Sequence, residues 1–331
     1  MLRRTVGHFS IENVYTGAKK FKIFNIFGIK FKFRVKFIKN KRQYIIDNRP
    51  HPLDYPVGQP RESVYSSVVA IFKDEPDIVE WIEYHKLIGI QRFYLYDNNS
   101  EKDWYGVLKP YIDSGLVVYQ KVPGKAMQHP VYQDAIYRYK NETTWMAIID
   151  LDEYIVPVEK NNINDFLKDY EKYPALIVNW VMFDSNGLEK RQSGKLIPEM
   201  FTRTYKDSQA YMNLTVKSIF NPRKVRFAPS AHVCIYKAHE LPVTENFEEQ
   251  KETVYFKTKY NSVNKIRINH YYCKSKEDYI SKIKKGSAIN GGKLYANNAL
   301  LNFSDTKHDY VIQKYIEPLK EAMKDKTTLP Q

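Results

Sequence analysis

Residues 145–157 read Trp145-Met146-Ala147-Ile148-Ile149-Asp150-Leu151-Asp152-Glu153-Tyr154-Ile155-Val156-Pro157, and this stretch decides the fold. Trp145 to Ile149 is a continuous apolar run, the pattern of a central strand buried on both faces. Asp150 and Asp152 follow at its end. Two residues apart in extended backbone, they are predicted to project to the same side. Two such carboxylates repel unless a cation or a proton sits between them. Oxygen ligands suit Mn²⁺ or Mg²⁺, which usually bridge to substrate phosphates. Open α/β sheets bind ligands at the carboxyl ends of their strands, where this cluster falls. Asp-x-Asp alone is a weak motif, and a solvated turn is its plain alternative. The buried strand before it favours the metal reading.

Upstream, strands alternate with helices. Val64 to Phe72 reads as a strand, after which Lys73-Asp74-Glu75-Pro76 opens a helix with Asp74 as N-cap. Ile78, Val79, Ile82 and Leu87 give that helix an apolar face, and Gly89 ends it. Arg92 to Tyr96 is a second strand closing on Asp97-Asn98-Asn99-Ser100, and Leu116 to Val122 a third. Helices are predicted over Trp104–Asp113 and Pro130–Tyr139. This alternation implies βαβ units and a mainly parallel sheet flanked by helices. Downstream, Ala175–Phe183, Val216–Phe220, Lys224–Phe227 and Ile266–Tyr272 read as strands. Residues 244–262 read as a mobile polar loop, and 308–325 as an amphipathic helix interrupted by Pro318.

The charge is uneven. The chain of 331 residues carries a net +14, of which residues 1–60, with 13 Lys/Arg and 3 Asp/Glu, hold +10. Residues 19–42 contain ten Lys/Arg and no acid. There Phe31, Phe33, Val35 and Phe37 alternate with Lys30, Lys32, Arg34 and Lys36, predicting a strand with an aromatic and a cationic face. Asn25 to Gly28 would turn a hairpin. Such a sheet packs its aromatic face on the body, or attaches to an anionic membrane surface. Single-stranded nucleic acid ranks below these and is not expected, since no nucleic-acid motif accompanies the patch. Residues 47–62 are a proline-rich linker. Cys234 and Cys273 lack metal-site spacing and read as core residues. No apolar run is long enough to span a bilayer, and no signal-peptide core opens the chain. The expectation is a cytoplasmic protein, peripheral at the inner face of the membrane.

The motifs form an ordered string: Lys73-Asp74-Glu75, Glu80-Trp81-Ile82-Glu83-Tyr84-His85, Tyr96-Asp97-Asn98-Asn99-Ser100, Asp150-Leu151-Asp152-Glu153-Tyr154, Lys217-Ser218-Ile219 and Asn269-His270-Tyr271. Together they resemble glycosyltransferase family 92 and its bacterial family 2-like relatives, over about residues 63–290. The resemblance implies a GT-A fold, a nucleotide-sugar donor and a divalent cation. It implies that Asp150 and Asp152 hold Mn²⁺ or Mg²⁺ on the donor diphosphate, that Asp97 lies near the ribose or base, and that Lys73, Asp74 and Glu75 receive the nucleotide. It also implies that His270 reaches the metal or diphosphate. His85, mid-helix, is expected to be structural, and His232 is left open. An inverting transferase needs a carboxylate to take the acceptor proton. Asp184 is the candidate, with Glu189 and Glu199 as alternatives.

The sequence thus predicts a basic extension and linker over 1–60, a GT-A-like domain over 61–300, and a C-terminal helix and tail over 301–331. The expected activity is hexosyl transfer from a nucleotide sugar, a UDP-sugar first, to a glycan or lipid-linked glycan in surface polysaccharide synthesis. A nucleotidyltransferase is the rival enzyme, though Lys73-Asp74-Glu75-Pro76 lacks the glycines of its phosphate loop. A non-catalytic basic surface-binding module is the third reading.

Overall fold

The computed structural model describes residues 61–250, 256–289 and 291–326, together with the backbone of four strands between residues 3 and 35. The chain divides into two units, residues 1–49 and 50–331.

In the first unit β1 (Arg3–Val6), β2 (Phe9–Thr16), β3 (Lys19–Ile26) and β4 (Ile29–Val35) form an antiparallel sheet in sequence order. The predicted hairpin is present, with Ile26 opposite Ile29. Phe24 lies opposite Phe31, but Lys22 lies opposite Phe33 and Lys20 opposite Val35. Phe37, the end of the basic stretch and most of the predicted linker lie outside the described residues.

The second unit is built on an eight-stranded sheet. Its strands are β5 (Val64–Phe72), β6 (Arg92–Asp97), β7 (Val117–Lys121), β8 (Thr143–Ile148), β9 (Glu153–Pro157), β10 (Ala175–Met182), β12 (Val216–Phe220) and β15 (Ile266–His270). Their order is β7-β6-β5-β8-β12-β10-β15-β9. β9 and β12 run against the other six, so the sheet is mainly parallel, as predicted. β10 joins its two halves: Ala175–Asn179 pair with β12, and Trp180–Met182 pair with β15. Two small ladders complete the strands, β11 (Arg203–Tyr205) with β16 (Thr306–His308), and β13 (Val225–Phe227) with β14 (Ile235–Tyr236).

Helices cover both faces: α1 (Ile78–Leu87), α2 (Trp104–Asp113), α3 (Gln128–Tyr139), α4 (Ile163–Leu167), α5 (Ile197–Met200), α6 (Lys276–Lys285) and α7 (Ile316–Met323). Alternate residues of the central strands serve opposite layers. Trp145, Ala147 and Ile149 pack with Trp81, Ile82 and Leu108 on one side, while Met146 and Ile148 pack with Val131, Ala135 and Tyr139 on the other. Ile316 and Leu319 of α7 belong to the first of these layers. Residues beyond 300 therefore share the core of the main body.

One local expectation is corrected. The N-cap of α1 is Asp77, not Asp74. Asp74 sits in the left-handed region at φ 45°, which aspartate tolerates, and its carboxylate accepts from the Glu101 and Lys102 backbone N–H groups and from Trp104 Nε1. Of the loop predicted to be mobile over 244–262, residues 251–255 lie outside the described residues; the ends of the loop are held by one carboxylate. Glu245 is buried and accepts from Ser262 Oγ and the N–H groups of Asn264, Lys265 and Ile266.

α1 also closes the edge of the sheet. β9 pairs with β15 on one side only, and an uncovered edge leaves backbone groups unpaired. Three α1 side chains satisfy them. Trp81 Nε1 donates to Glu153 O at 2.8 Å, Tyr84 Oη donates to Ile155 O at 2.8 Å, and His85 Nε2 accepts from Ile155 N at 3.2 Å. His85 Nδ1 donates to Trp81 O at 2.8 Å, so the ring is neutral and its tautomer fixed. Burial pushes the His85 pKa down to about 3. An unfolded histidine takes up a proton near pH 6.5, and the folded one does not until about pH 3. The contribution of His85 is thus present above pH 6.5 and lost as pH falls toward 3, by up to about 1.4 kcal/mol per pH unit. Denaturant titrations between pH 7 and pH 4 should show the stability gap between wild type and His85→Gln narrowing. A constant gap would mean that the folded ring takes up its proton at the same pH as the unfolded one.

Candidate active site

β8 ends at Ile148 and β9 begins at Glu153, so Asp150-Leu151-Asp152 is the link between the middle of the sheet and its far edge. The link is a turn, with Glu153 N donating to Asp150 O at 3.0 Å. The prediction that both aspartates project to one side of an extended strand does not hold. Each faces its own cation instead. Lys217 Nζ, on β12, lies 2.9 Å from Asp150 Oδ2 and 3.2 Å from Glu153 Oε2. Lys282 Nζ, on α6, contacts Asp152 Oδ2 and sits 3.6 Å over the Tyr272 ring. His270 Nε2 lies 3.4 Å from Asp152 Oδ1.

The electrostatics follow from burial and these partners. Burial raises the pKa of all three acids. Lys217 outweighs it at Asp150, and Lys282 with His270 outweighs it strongly at Asp152, so both carboxyls are held below the usual range. At Glu153 burial wins, and its carboxyl is pushed up to about 7 despite Lys217. The Lys217 side chain is 0% exposed, yet its two carboxylate partners outweigh burial and raise its pKa. It therefore stays charged in the core.

Asp150 and Asp152 open onto a cleft of about 790 Å³. Lys73, Asp74 and Glu75 form part of its rim, beside Asn98 and Asn99, so the first loop and the acidic turn share one cavity. Lys285 Nζ bonds Glu75 Oε1 at 2.8 Å, tying α6 to that loop. Asp97 is not among the lining residues. Its carboxylate is buried, accepting from Tyr119 Oη at 2.5 Å and Ser100 N at 3.0 Å, so it shapes the loop that presents Asn98 and Asn99.

The structure does not support Asp184 as a proton acceptor. Its side chain is 0% exposed and lies away from the cleft. It accepts from Arg203 Nε at 2.8 Å, Asn186 N at 2.9 Å and Phe303 N at 3.0 Å, tying three segments together. The alternatives fare no better. Glu189 is exposed and paired with Lys276, and Glu199 is held by Lys320 and Leu196 N. Neither lines the cleft.

Past His270 the floor of the cleft is aromatic. The Trp180 ring lies 4.3 Å from that of His270 and 5.4 Å from that of His232. His232 Nδ1 donates to Val216 O at 2.9 Å. Burial and the charge of Lys217 lower the His232 pKa to about 4. Among the described residues no three His, Cys, Asp or Glu form a ready-made metal cage. The donor set nonetheless fits a divalent cation. Asp152 Oδ1 and His270 Nδ1 are buried with no hydrogen-bond partner, and carboxylate oxygens suit Mn²⁺ or Mg²⁺. Lys282, about a third exposed on a flexible stem, occupies the position of positive charge at Asp152.

Lys217 and Glu153 stand within the motifs without an assigned role, and Lys282, Lys274, Arg191 and Trp180 stand in none of them. Lys217 carried a readable signal: a lone charge inside Val216-Lys217-Ser218-Ile219-Phe220 requires a buried partner. Lys274 and Arg191, which converge on buried Asp77 at the α1 N-terminus, carried none.

The comparisons with known proteins agree on the family. The family model of glycosyltransferase family 92 matches residues 64–290. A family 92 glycosyltransferase of Ricinus communis is 32% identical over 91 residues, 27% of this chain and 16% of that protein. A galactan beta-1,4-galactosyltransferase of Arabidopsis thaliana is 29% identical over 117 residues, 32% of this chain and 23% of that protein. The matches thus span less than a quarter of these relatives' length. Among solved structures, S. aureus TarS in complex with UDP gives a TM-score of 0.32 at 11% identity, over 48% of this chain and 47% of that one. A 4-diphosphocytidyl-2C-methyl-D-erythritol synthase from Anaerococcus prevotii gives 0.28 at 11% identity, over 48% and 70%.

Removing one partner of a buried ion pair strands the other's charge, at a cost of about 3–5 kcal/mol. Lys217→Met should therefore destabilise the protein by about that much in urea denaturation. Adding Glu153→Gln should recover part of the loss, because one stranded carboxylate is then gone. Equal instability of the single and double variants would show that Glu153 is not charged by Lys217.

Proposed function

The chain belongs to glycosyltransferase family 92, and from that premise we propose a nucleotide-sugar-dependent hexosyltransferase that uses the cleft beneath β8 and α6 as its donor site. The observation that carries the reading is the convergence of Asp150, Asp152 and His270 with Lys73, Asp74 and Glu75 on one cavity. Asp150 and Asp152 would hold Mn²⁺ or Mg²⁺, which stabilises the charge on a departing nucleoside diphosphate. The lysines around the cavity add to that field. Lys73, Lys102 and Lys125 stand at the nucleotide side of the rim, and Lys282 is poised to move from Asp152 to a phosphate oxygen. Asn98 and Asn99 face the cavity where a ribose or base would lie.

The donor is proposed to be a UDP-sugar and the acceptor a glycan or lipid-linked glycan in surface polysaccharide synthesis. The name of the Arabidopsis relative makes UDP-galactose the first sugar to try. Attachment to an anionic membrane surface belongs to the same proposal. It is supported by the ten Lys/Arg and no acid of residues 19–42 and requires no spanning segment. Among the described residues no helix is long and apolar enough to cross a membrane.

With UDP at a hundred times its dissociation constant, Mn²⁺ should raise stability by about 2.7 kcal/mol, read as a melting shift. The shift should vanish in Asp150→Asn/Asp152→Asn, provided that variant melts cooperatively without ligand. A folded wild type that shifts with no nucleoside diphosphate, with or without the metal, would sink the donor-site reading.

Neutralising Lys30, Lys32 and Arg34 to Gln should weaken binding to phosphatidylserine vesicles about a hundredfold, at about 1 kcal/mol per charge. Wild-type binding should itself fall as salt rises. Vesicle binding indifferent to both would remove the membrane from the proposal.

A further inference from the structure

With Asp184, Glu189 and Glu199 turned away from the cleft, the group that receives the acceptor's proton must be sought among the residues that line it. The acids there are committed. Asp74 caps the loop at residues 101–104, Glu75 is bonded by Lys285, and Asp278 is bonded by Arg191. Asp150 and Asp152 are paired with Lys217 and Lys282 and belong to the metal–diphosphate end. His270 leans on Asp152 at that same end.

His232 differs from all of these. It lies on the loop between β13 and β14, which two serines hold in place. His232 N donates to Ser230 Oγ at 3.1 Å, and Ser218 Oγ donates to His232 O at 2.8 Å. A carbonyl oxygen can only accept, so the bond to Val216 O fixes the proton on Nδ1. Nε2 therefore carries a bare lone pair. No bond to Nε2 is made by any described residue, and the ring lines the cleft. Its placement also has direction. The Trp180 ring lies against both histidines, 4.3 Å from His270, which meets Asp152, and 5.4 Å from His232, whose ring has Phe256 at 5.2 Å. A sugar lying over the Trp180 indole would have its leaving diphosphate toward Asp152 and its opposite face toward His232. Aromatic faces are suitable floors for such apolar sugar faces.

We infer that His232 Nε2 is the general base of the transfer and that the acceptor hydroxyl enters from the His232–Phe256 side of the cleft. The step balances within the donor reading on which it rests. The acceptor O–H proton passes to Nε2 as the acceptor oxygen bonds the anomeric carbon. The bond from that carbon to the diphosphate oxygen breaks, and its electron pair leaves with the nucleoside diphosphate. The imidazolium then returns its proton to solvent. Attack opposite the leaving group inverts the anomeric centre. Ser230 and Ser218 are positioning residues, acting only through the loop.

The test uses the full chain with Mn²⁺ and a panel of UDP-hexoses led by UDP-galactose, with water or β-1,4-galactan oligosaccharides as acceptor, and follows UDP release. His232→Asn keeps a donor for Val216 O without the bare nitrogen and guards against misfolding. His232→Ala opens a space for added imidazole. Both variants should release UDP about 10²- to 10⁴-fold more slowly, keep the wild-type Mn²⁺–UDP melting shift, and, for His232→Ala alone, recover with imidazole. Undiminished UDP release in His232→Asn would overturn the inference. So would loss of the melting shift in both variants, which would assign the ring to donor or metal binding. Slow release that imidazole leaves unchanged would overturn it as well. If the wild type releases UDP from no sugar nucleotide while still showing the shift, the transfer reading falls and the inference with it. If the shift is also absent, the donor site itself is wrong.

Discussion

One ammonium group makes the acidic turn possible. Three carboxylates within four residues, at the end of a strand buried on both faces, would repel one another in a medium that screens poorly. Lys217 enters from β12 with no exposure of its own and meets two of them, Asp150 and Glu153. Glu153 in turn accepts from Asp150 N at 2.8 Å, so the carboxylate that Lys217 neutralises also shapes the turn. The third acid, Asp152, is left to His270 of β15, in the other half of the sheet, and to Lys282 of α6. The turn is thus assembled from charges that no single segment supplies.

That division mirrors the architecture. β8 is the last strand of the parallel half, at the middle of the sheet, β9 lies at the far edge, and β10 joins the two halves. The edge is held by side chains of α1 rather than by another strand. This explains why Glu80 to His85, an apparently ordinary amphipathic segment, is buried along its whole length. The helix seals backbone groups of β9, and by doing so it fixes where Glu153 and the turn begin.

Much of this was legible. The unbroken apolar run of Trp145–Ile149 gave a strand with both faces covered, and the alternation of strand and helix before it gave the parallel half. Gly89 and Pro76 bounded α1 to within two residues. Cys234 and Cys273 are buried and unpaired, as their spacing suggested. The failures share a cause. Asp74, misread as a helix cap, and Asp97 and Asp184, misplaced in the cleft, are all acids at loop starts, and a loop acid looks the same in sequence whether it caps a helix, faces a ligand or ties a loop. The difference lies in partners such as Trp104, Tyr119 and Arg203, which are 19 or more residues away. Lys282 and His232 reach the cleft by folding alone, since neither sits in a periodic pattern that points there. The second half of the sheet was harder to order than the first, because its strands pair across long separations and in both directions.

Those separations carry a consequence for synthesis. Among the described residues Glu153–Pro157 finds its one strand partner at Ile266–His270, more than a hundred residues later. Until the ribosome has delivered that partner, β9 is an apolar strand whose pairing edge is empty, and the acids before it lack Lys282 and His270. Long-range pairing of this kind is slow, because the intervening chain must be confined first. The parallel half, β5 to β8, is complete by Ile148 and can collapse earlier as a unit. The nascent protein therefore passes through a stage with a formed core, an exposed sticky strand and no working cleft. The cleft can form only after the first half of the sheet is already in place.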